Sequence, residues 1–147
     1  MENKYLQREI KFSVKKKEDE IYVIKSMEDA YEYIERLYGP EIDVYETAYI
    51  ILLKRDNSVI GWYKISHGGV SQTVIDAKII AKVAIDTLAS AVIIAHNHPS
   101  GETIPSIQDD NMTENLKKCL KLFEIELLDS IIIGDGKFYS YKLEGRL

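Results

Sequence analysis

The chain has 147 residues, of which 46% are hydrophobic and 29% are charged, so it can bury the core of one globular domain and lacks the composition of a disordered protein. No apolar run approaches the ~20 residues that a membrane-spanning helix needs, and the first residues lack the apolar core of a signal peptide, so we expect a cytoplasmic protein. The net charge of −5 has the wrong sign for a protein that coats nucleic acid. The one cysteine, Cys119, excludes an internal disulfide and every zinc site built from paired cysteines.

Charge is distributed unevenly along the chain. Residues 1–17 carry six basic and two acidic side chains, a net charge of +4 that leaves −9 for the remainder. Such a segment can contact phosphate or an acidic partner, or it can simply keep the edge of a strand charged. Because apolar and polar residues alternate over 8–16, we expect a half-buried strand there. We therefore predict a short N-terminal extension with a strand over residues 1–25, and the main domain over 26–147.

Hydrophobic periodicity and turn residues predict the remaining elements. They are, in chain order, a helix that Ser26 caps and Gly39-Pro40 ends, a hairpin of strands at 44–53 and 59–65, a helix at 76–89, a buried strand at 91–95, a helix from about Ile107 to Leu122, and strands at 124–133 and 137–142 joined by the turn Gly134-Asp135-Gly136. Strands alternate with helices, so the predicted class is α/β, a single domain with a mixed β-sheet flanked by helices.

Each of the three predicted helices has an apolar face. In the first helix this face consists of Met27, Ala30, Tyr31, Ile34 and Leu37. In the helix at 76–89 it consists of Ile79, Ile80, Val83 and Ala84, which we expect to be buried. In the last helix it consists of Met112, Leu116, Cys119, Leu120 and Phe123. Given this company, we interpret Cys119 as a small buried hydrophobic residue rather than a catalytic thiol.

The segment HNHPSGETIPSIQD, residues 96–109, contains the candidate metal-binding residues. His96 and His98 are two residues apart at the end of a buried strand, where positions i and i+2 project from the same face, so the two imidazoles can bind one ion. Pro99 ends the strand, which puts the histidines at the carboxyl edge of the sheet. By contrast, His67 has no such neighbours in sequence, and we interpret it as a surface residue or one that supports the site from outside.

Asp109 is the third candidate ligand. Ser106 is placed to cap a helix whose first turn contains Asp109, so the carboxylate can reach back towards the histidines. Two histidines and one carboxylate leave the fourth tetrahedral position open to water, as catalytic zinc sites require, although these ligand types also suit Mn²⁺, Fe²⁺ or Co²⁺. Taken in isolation, Ser106 and Asp109 are better explained as a capping pair alone.

Other metal and phosphate motifs are missing from the sequence. It contains no His-Glu-x-x-His of classical zinc proteases, no Cys-x-x-Cys of nucleobase deaminases and no glycine-rich phosphate loop.

The spacing from His96 to Asp109, H-x-H-x7-S-x2-D, resembles the JAMM motif of the JAB/MPN metalloprotease family, and the wording HNHPSG followed by PS-x-x-D is similar to its bacterial RadC-like branch. The resemblance covers roughly residues 42–147 and includes Leu128-Asp129 with the following Ile-Ile-Ile-Gly. It implies a JAB/MPN fold with cytidine-deaminase-like architecture and one zinc ion per chain, held by His96, His98 and Asp109.

The resemblance also implies two catalytic residues. Glu46, on an early strand, would be the general base that acts on the zinc water, and Ser106 would donate to the developing oxyanion. Spacing alone does not choose Glu46 over Glu102. The implied function is a zinc-dependent metallohydrolase that cleaves a peptide or isopeptide bond in a peptide or protein substrate.

An alternative function is a non-catalytic, zinc-containing accessory protein of DNA repair or of a mobile element. The basic N-terminal segment favours it slightly, whereas the complete set of candidate ligands and catalytic residues favours the enzyme. Two features depart from the RadC-like pattern: the helix-hairpin-helix region that precedes the domain in full-length proteins is replaced by about 25 residues of different character, and Ser130 stands where relatives often carry histidine.

Overall fold

Helices cover both faces of a five-stranded sheet in the computed structural model, which describes residues 21–68 and 75–147. The helices are α1 (Met27–Glu35), α2 (Ala77–Asp86) and α3 (Ile107–Lys121), with a 3-10 helix at Pro40–Asp43. The strands are β1 (Thr47–Leu53), β2 (Val59–His67), β3 (Ala91–Asn97), β4 (Glu126–Gly134) and β5 (Lys137–Ser140). The strand expected at 8–16 and the basic segment lie outside the described residues.

The order of the strands across the sheet is β2-β1-β3-β4-β5. The pair β3 and β4 is parallel, and the other three pairs are antiparallel. This confirms the predicted single-domain α/β fold with a mixed sheet. All seven residues of β3 are buried, since strands flank it on both sides and helices cover both of its faces. A strand that is covered on both faces has a continuous apolar sequence, as this one has.

Alternation along β3 divides the interior into two cores. Ile93 and Ala95 face α1 together with residues such as Ile34. Val92 and Ile94 face the opposite way and pack with apolar residues of α2 and α3. Each isoleucine buried in this way contributes about 1.5–3 kcal/mol. The face to which a β3 side chain points therefore determines which helices it contacts. The same rule applies to the histidine at the end of the strand.

The structure differs from the sequence prediction at several element ends and on one helix face. Helix α1 stops at Glu35, earlier than Gly39-Pro40, and Pro40 instead begins the 3-10 helix. Ile79 was expected to be buried but is 39% exposed, because the inward face of α2 is centred on Ile80, Ala81 and Ala84.

The apolar face of α3 is largely as predicted. Cys119 is partly buried against the α2 and α3 core, whereas Phe123 is half exposed because α3 ends at Lys121. Within the described residues, no helix is long and apolar enough to cross a membrane.

Candidate metal centre

Two histidines project from one face at the carboxyl end of β3. By alternation, His96 shares the face of Val92 and Ile94, which packs against α2 and α3. His96 is 1% exposed. The backbone N–H of His98 donates to the carbonyl of Ile133 at 2.9 Å, so His98 is still aligned with β4 although β3 has ended. As a result the Nε2 atoms of His96 and His98 lie 3.2 Å apart.

The start of α3 brings a carboxylate to the two histidines. The hydroxyl oxygen of Ser106 accepts the N–H of Asp109 at 3.1 Å, and Oδ2 of Asp109 accepts the N–H of Ser106 at 2.8 Å. The same carboxylate places Oδ1 3.0 Å from Nε2 of His96 and Oδ2 3.2 Å from Nε2 of His98. The structure thus brings together the three residues predicted as metal ligands, and the capping box orients the carboxylate.

These distances fit a single small cation. Ligand atoms around tetrahedral zinc with bonds of ~2.0–2.1 Å are separated by ~3.3 Å, close to the separations found here. Nδ1 of His98 lies 2.8 Å from the carbonyl oxygen of Glu102, to which it donates, so Nε2 keeps its lone pair for an ion. Nδ1 of His96 is buried and has no hydrogen-bond partner among the described residues. The donor set of His96, His98 and Asp109 therefore suits a divalent transition metal.

Charge at the site is concentrated on Asp109. Burial would raise the pKa of Asp109, but hydrogen bonds with His96 and His98 and the N–H of Ser106 outweigh it and hold the pKa well below its ordinary value. When the ring of His98 is protonated in the metal-free protein, its Nε2–H donates to Asp109, and this raises the pKa of His98 although burial of the ring opposes the rise. Asp109 is thus a carboxylate throughout the physiological range, as a metal ligand must be.

Glu46 is the glutamate that reaches the histidines. It lies just before β1, on the same face as Ala48, which pairs with His96. One carboxylate oxygen of Glu46 lies within 4.8 Å of ligand nitrogens of both His96 and His98. Glu102, the alternative from sequence, has an exposed side chain and contributes only its backbone carbonyl. Burial raises the pKa of Glu46, and the histidines offset part of the rise.

A close contact between two glycines fixes the loop that carries His98. A Cβ atom on Gly134, at the end of β4, would lie 2.6 Å from the carbonyl oxygen of Gly101. Gly101 itself has a φ of +85°, which side-chain-bearing residues rarely adopt. Both glycines are therefore needed for the loop after His98 to lie against the sheet. In the sequence, Gly134 was noted as part of the family resemblance, but its contact with Gly101 was not predicted.

Asn97, between the two histidines, is the residue that sequence reasoning missed. Its side chain is fully buried on the opposite face of β3, and it hydrogen-bonds the backbone of residues 42–47 rather than the ligands. The signal was available: in an alternating strand, a polar residue between two ligands must point into the other core.

His67 stands beside the site without entering the ligand set. Its Nδ1 lies 3.2 Å from the hydroxyl of Thr47, its Nε2 lies 3.9 Å from Glu41, and its ring packs on Tyr45. The side chain is partly exposed, and the contacts named here are with none of the candidate ligands.

Behind Asp109, buried polar groups connect α3 to β4. The hydroxyl of Thr113, one turn after Asp109, donates to the hydroxyl of Ser130 at 3.0 Å. The neighbouring Asp129 is fully buried and accepts hydrogen bonds from the backbone of Ser130 and Lys142. Burial raises the pKa of Asp129, although these hydrogen bonds oppose the rise. The hydroxyl pair of Thr113 and Ser130 thus connects the beginning of α3 to β4.

The five-stranded mixed sheet flanked by three helices is consistent with a JAB/MPN fold. A profile of the RadC-like JAB domain matches residues 24–146. The chain belongs to the RadC-like JAB domain family, which confirms the resemblance noted in the sequence.

The UPF0758 proteins of several bacteria are similar to this chain. That of Porphyromonas gingivalis is 42% identical over 103 residues, which cover 69% of this chain and 45% of the relative. Those of Flavobacterium johnsoniae and Aquifex aeolicus are 33% and 34% identical over 122 and 124 residues, which cover 83% and 84% of this chain and 52% of each relative. The chain spans about half the length of these relatives.

Proposed function

We propose that the chain is a zinc-dependent hydrolase that cleaves an amide bond, peptide or isopeptide, in a peptide or protein substrate. One observation carries the proposal: two imidazole nitrogens and a carboxylate converge at 3.0–3.2 Å, and a second, partly buried carboxylate, that of Glu46, stands beside them. Three ligands leave one coordination position free, which is the pattern of a catalytic zinc site rather than a structural one.

Each residue has a distinct role in this proposal. His96, His98 and Asp109 hold the ion. Zinc would supply Lewis acidity, which lowers the pKa of a coordinated water to about 7 and polarises the scissile carbonyl. Glu46 takes up the proton that the attacking water loses and delivers it to the leaving nitrogen. In the metal-free protein, burial raises the pKa of the Glu46 carboxyl, in the direction of the working pH at which a general base and acid is most effective.

Ser106 can serve the helix and the substrate at once. In the cap its oxygen accepts the N–H of Asp109, so its own hydroxyl proton is not used in that bond. The side chain is exposed beside the ligands, where a substrate carbonyl would be bound. Ser106 is therefore placed to donate a hydrogen bond to the oxyanion that forms on that carbonyl.

The second candidate, a non-catalytic accessory protein that keeps the ion for structure, agrees with relatives whose names state no activity. A structural ion needs His96, His98 and Asp109, but it needs neither Glu46 as a base nor Ser106 as an oxyanion donor.

One experiment separates the two functions. Metal content and hydrolysis of a peptide and isopeptide panel would be measured for wild type, Glu46→Gln and the matched control Glu102→Gln. We expect one zinc per chain in all three proteins, and hydrolysis only in wild type and the control. Equal zinc in wild type and in a His96→Ala/His98→Ala variant would contradict the metal site. Full activity of Glu46→Gln would contradict the role of Glu46, and no hydrolysis by wild type would favour the accessory protein.

A further inference from the structure

Asn97 uses its whole amide group on one short stretch of backbone. Its Nδ2 donates to the carbonyl of Ile42 at 2.6 Å and to the carbonyl of Tyr45 at 2.9 Å, while its Oδ1 accepts the N–H of Thr47 at 2.7 Å. The side chain is 0% exposed, so water does not compete for these bonds. Asn97 therefore holds the connection between the 3-10 helix and β1 at three points.

Two of these three bonds fix the residue between them, Glu46. The Tyr45 carbonyl belongs to the peptide group before the Glu46 Cα, and the Thr47 N–H belongs to the peptide group after it. Because peptide groups are planar, fixing both sets φ and ψ of Glu46 and so the direction in which its side chain leaves the backbone. The N–H of Gly68 adds a third restraint by donating to the Glu46 carbonyl at 2.8 Å.

Asn97 also ties this direction to the metal ligands. It stands between His96 and His98 on β3, and alternation sends its side chain to the face opposite the ligands. One tripeptide thus holds the ion with its first and third residues and the segment of the base with its second. Because Asn97 and both histidines follow one another in the chain, the backbone position of Glu46 is tied to the residues that would hold the ion, as a proton-transfer group requires.

We propose that Asn97 is a positioning residue for Glu46: through the backbone of residues 45–47, it sets where the Glu46 carboxylate stands relative to the ion. This inference rests on the proposed function. It requires an amide in particular, because aspartate has the same shape but, when ionised, accepts hydrogen bonds only and would face two carbonyl oxygens without a donor.

The test compares zinc-loaded wild type, Asn97→Asp and the control Ser58→Ala. Ser58 is also buried and its hydroxyl bonds Asp56 at 2.6 Å, but it lies at the hairpin turn, at the other end of β1 from Glu46. Amide hydrogen exchange of the 42–47 segment is expected to become about 10-fold faster or more in Asn97→Asp and to stay unchanged in the control. Unchanged exchange of this segment in Asn97→Asp, or loss of its zinc, would overturn the inference.

Kinetics of the same proteins test the catalytic consequence. Asn97→Asp is expected to lower kcat about 10–100-fold, the usual cost of removing a group that orients a site from outside it. Its KM is expected to stay within about threefold of wild type, because substrate does not touch Asn97. A raised KM with unchanged kcat would overturn the positioning role. Absence of hydrolysis in wild type would be a failure of the proposed function, and the exchange result would then decide on its own whether Asn97 orders the Glu46 segment.

Discussion

Helices α1 and α3 begin with the same four-residue pattern and the same hydrogen bonds, at opposite ends of the sheet. In α1 the hydroxyl oxygen of Ser26 accepts the N–H of Asp29 at 3.1 Å, and Asp29 accepts the N–H of Ser26 at 3.1 Å. In α3 the corresponding distances between Ser106 and Asp109 are 3.1 and 2.8 Å. Only the second pair lies against histidines.

The difference between the two helix starts shows where the chemistry comes from. Ser-x-x-Asp is in itself a device for beginning a helix, and α1 shows it performing that role alone. It becomes a candidate site in α3 because β3 delivers two imidazoles to the same place. The α1 pair is therefore a built-in control for every substitution in the α3 pair.

The largest effect that separates the pairs is expected for the aspartates. Asp109→Ala removes a ligand and should lower zinc affinity by more than ~100-fold, because even groups outside the ligand set are worth 10–100-fold. Asp29→Ala should leave affinity unchanged. Both proteins would be titrated with zinc against a competing chelator, under conditions in which both are folded. Equal affinities of the two variants would refute the assignment of Asp109 as a ligand.

The serines should separate turnover from stability. Ser26→Ala and Ser106→Ala should each cost about 1 kcal/mol of unfolding free energy as lost caps. Ser106→Ala alone should also lower kcat by ~10²–10³, the usual cost of one oxyanion donor. Denaturant unfolding measures the first effect and steady-state kinetics the second. Ser106→Asn should restore the cap without the hydroxyl, so if it also restores full activity, Ser106 is only a cap.

The smallest effect concerns the pH dependence of the metal-free protein. Because the pKa of His98 is raised on folding, folded protein binds this proton more tightly than the unfolded chain does. The resulting stability is fully present below the unfolded pKa of about 6.5 and is lost as pH rises through the higher folded pKa. Thermal unfolding of metal-free protein from pH 5 to 9 should show this slope. His98→Gln should flatten it, whereas Asp29→Asn should leave it in place, and a slope that survives His98→Gln belongs to another group.

Sequence patterns predicted what depends on local periodicity. The capping pairs, the buried β3 run and the convergence of two alternating histidines all follow from residues within a few positions of one another. Ile79 shows the limit of this reasoning. Successive helix residues differ in direction by 100°, so a prediction of the buried face that is wrong by one residue assigns an exposed side chain to the core. The neighbours that decide it, on β1 and α3, are far away in sequence.

The parts of the site that could not be predicted involve backbone partners distant in the chain. Asn97 bonds carbonyl and N–H groups of residues 42–47, and every residue type offers such groups, so side-chain identity gave no hint of the partners. The contact of Gly134 with Gly101 likewise becomes visible only once β4 lies beside the His98 loop. Glu46 was chosen over Glu102 by resemblance, and the strand pairing of β1 with β3 supplies the physical reason.

The three proposed ligands fall within residues 96–109, whereas Glu46 lies 50 residues before His96. Each doubling of a loop costs about 0.6 kcal/mol of closure entropy, so bringing in the glutamate costs roughly 1.2 kcal/mol more than gathering the ligands. The ion site is thus local and the base is not. In the proposed site, an ion would therefore link the end of β3 to the start of α3 without any residue of the β1–β2 hairpin, and a chain without the glutamate would keep all three residues proposed to bind it.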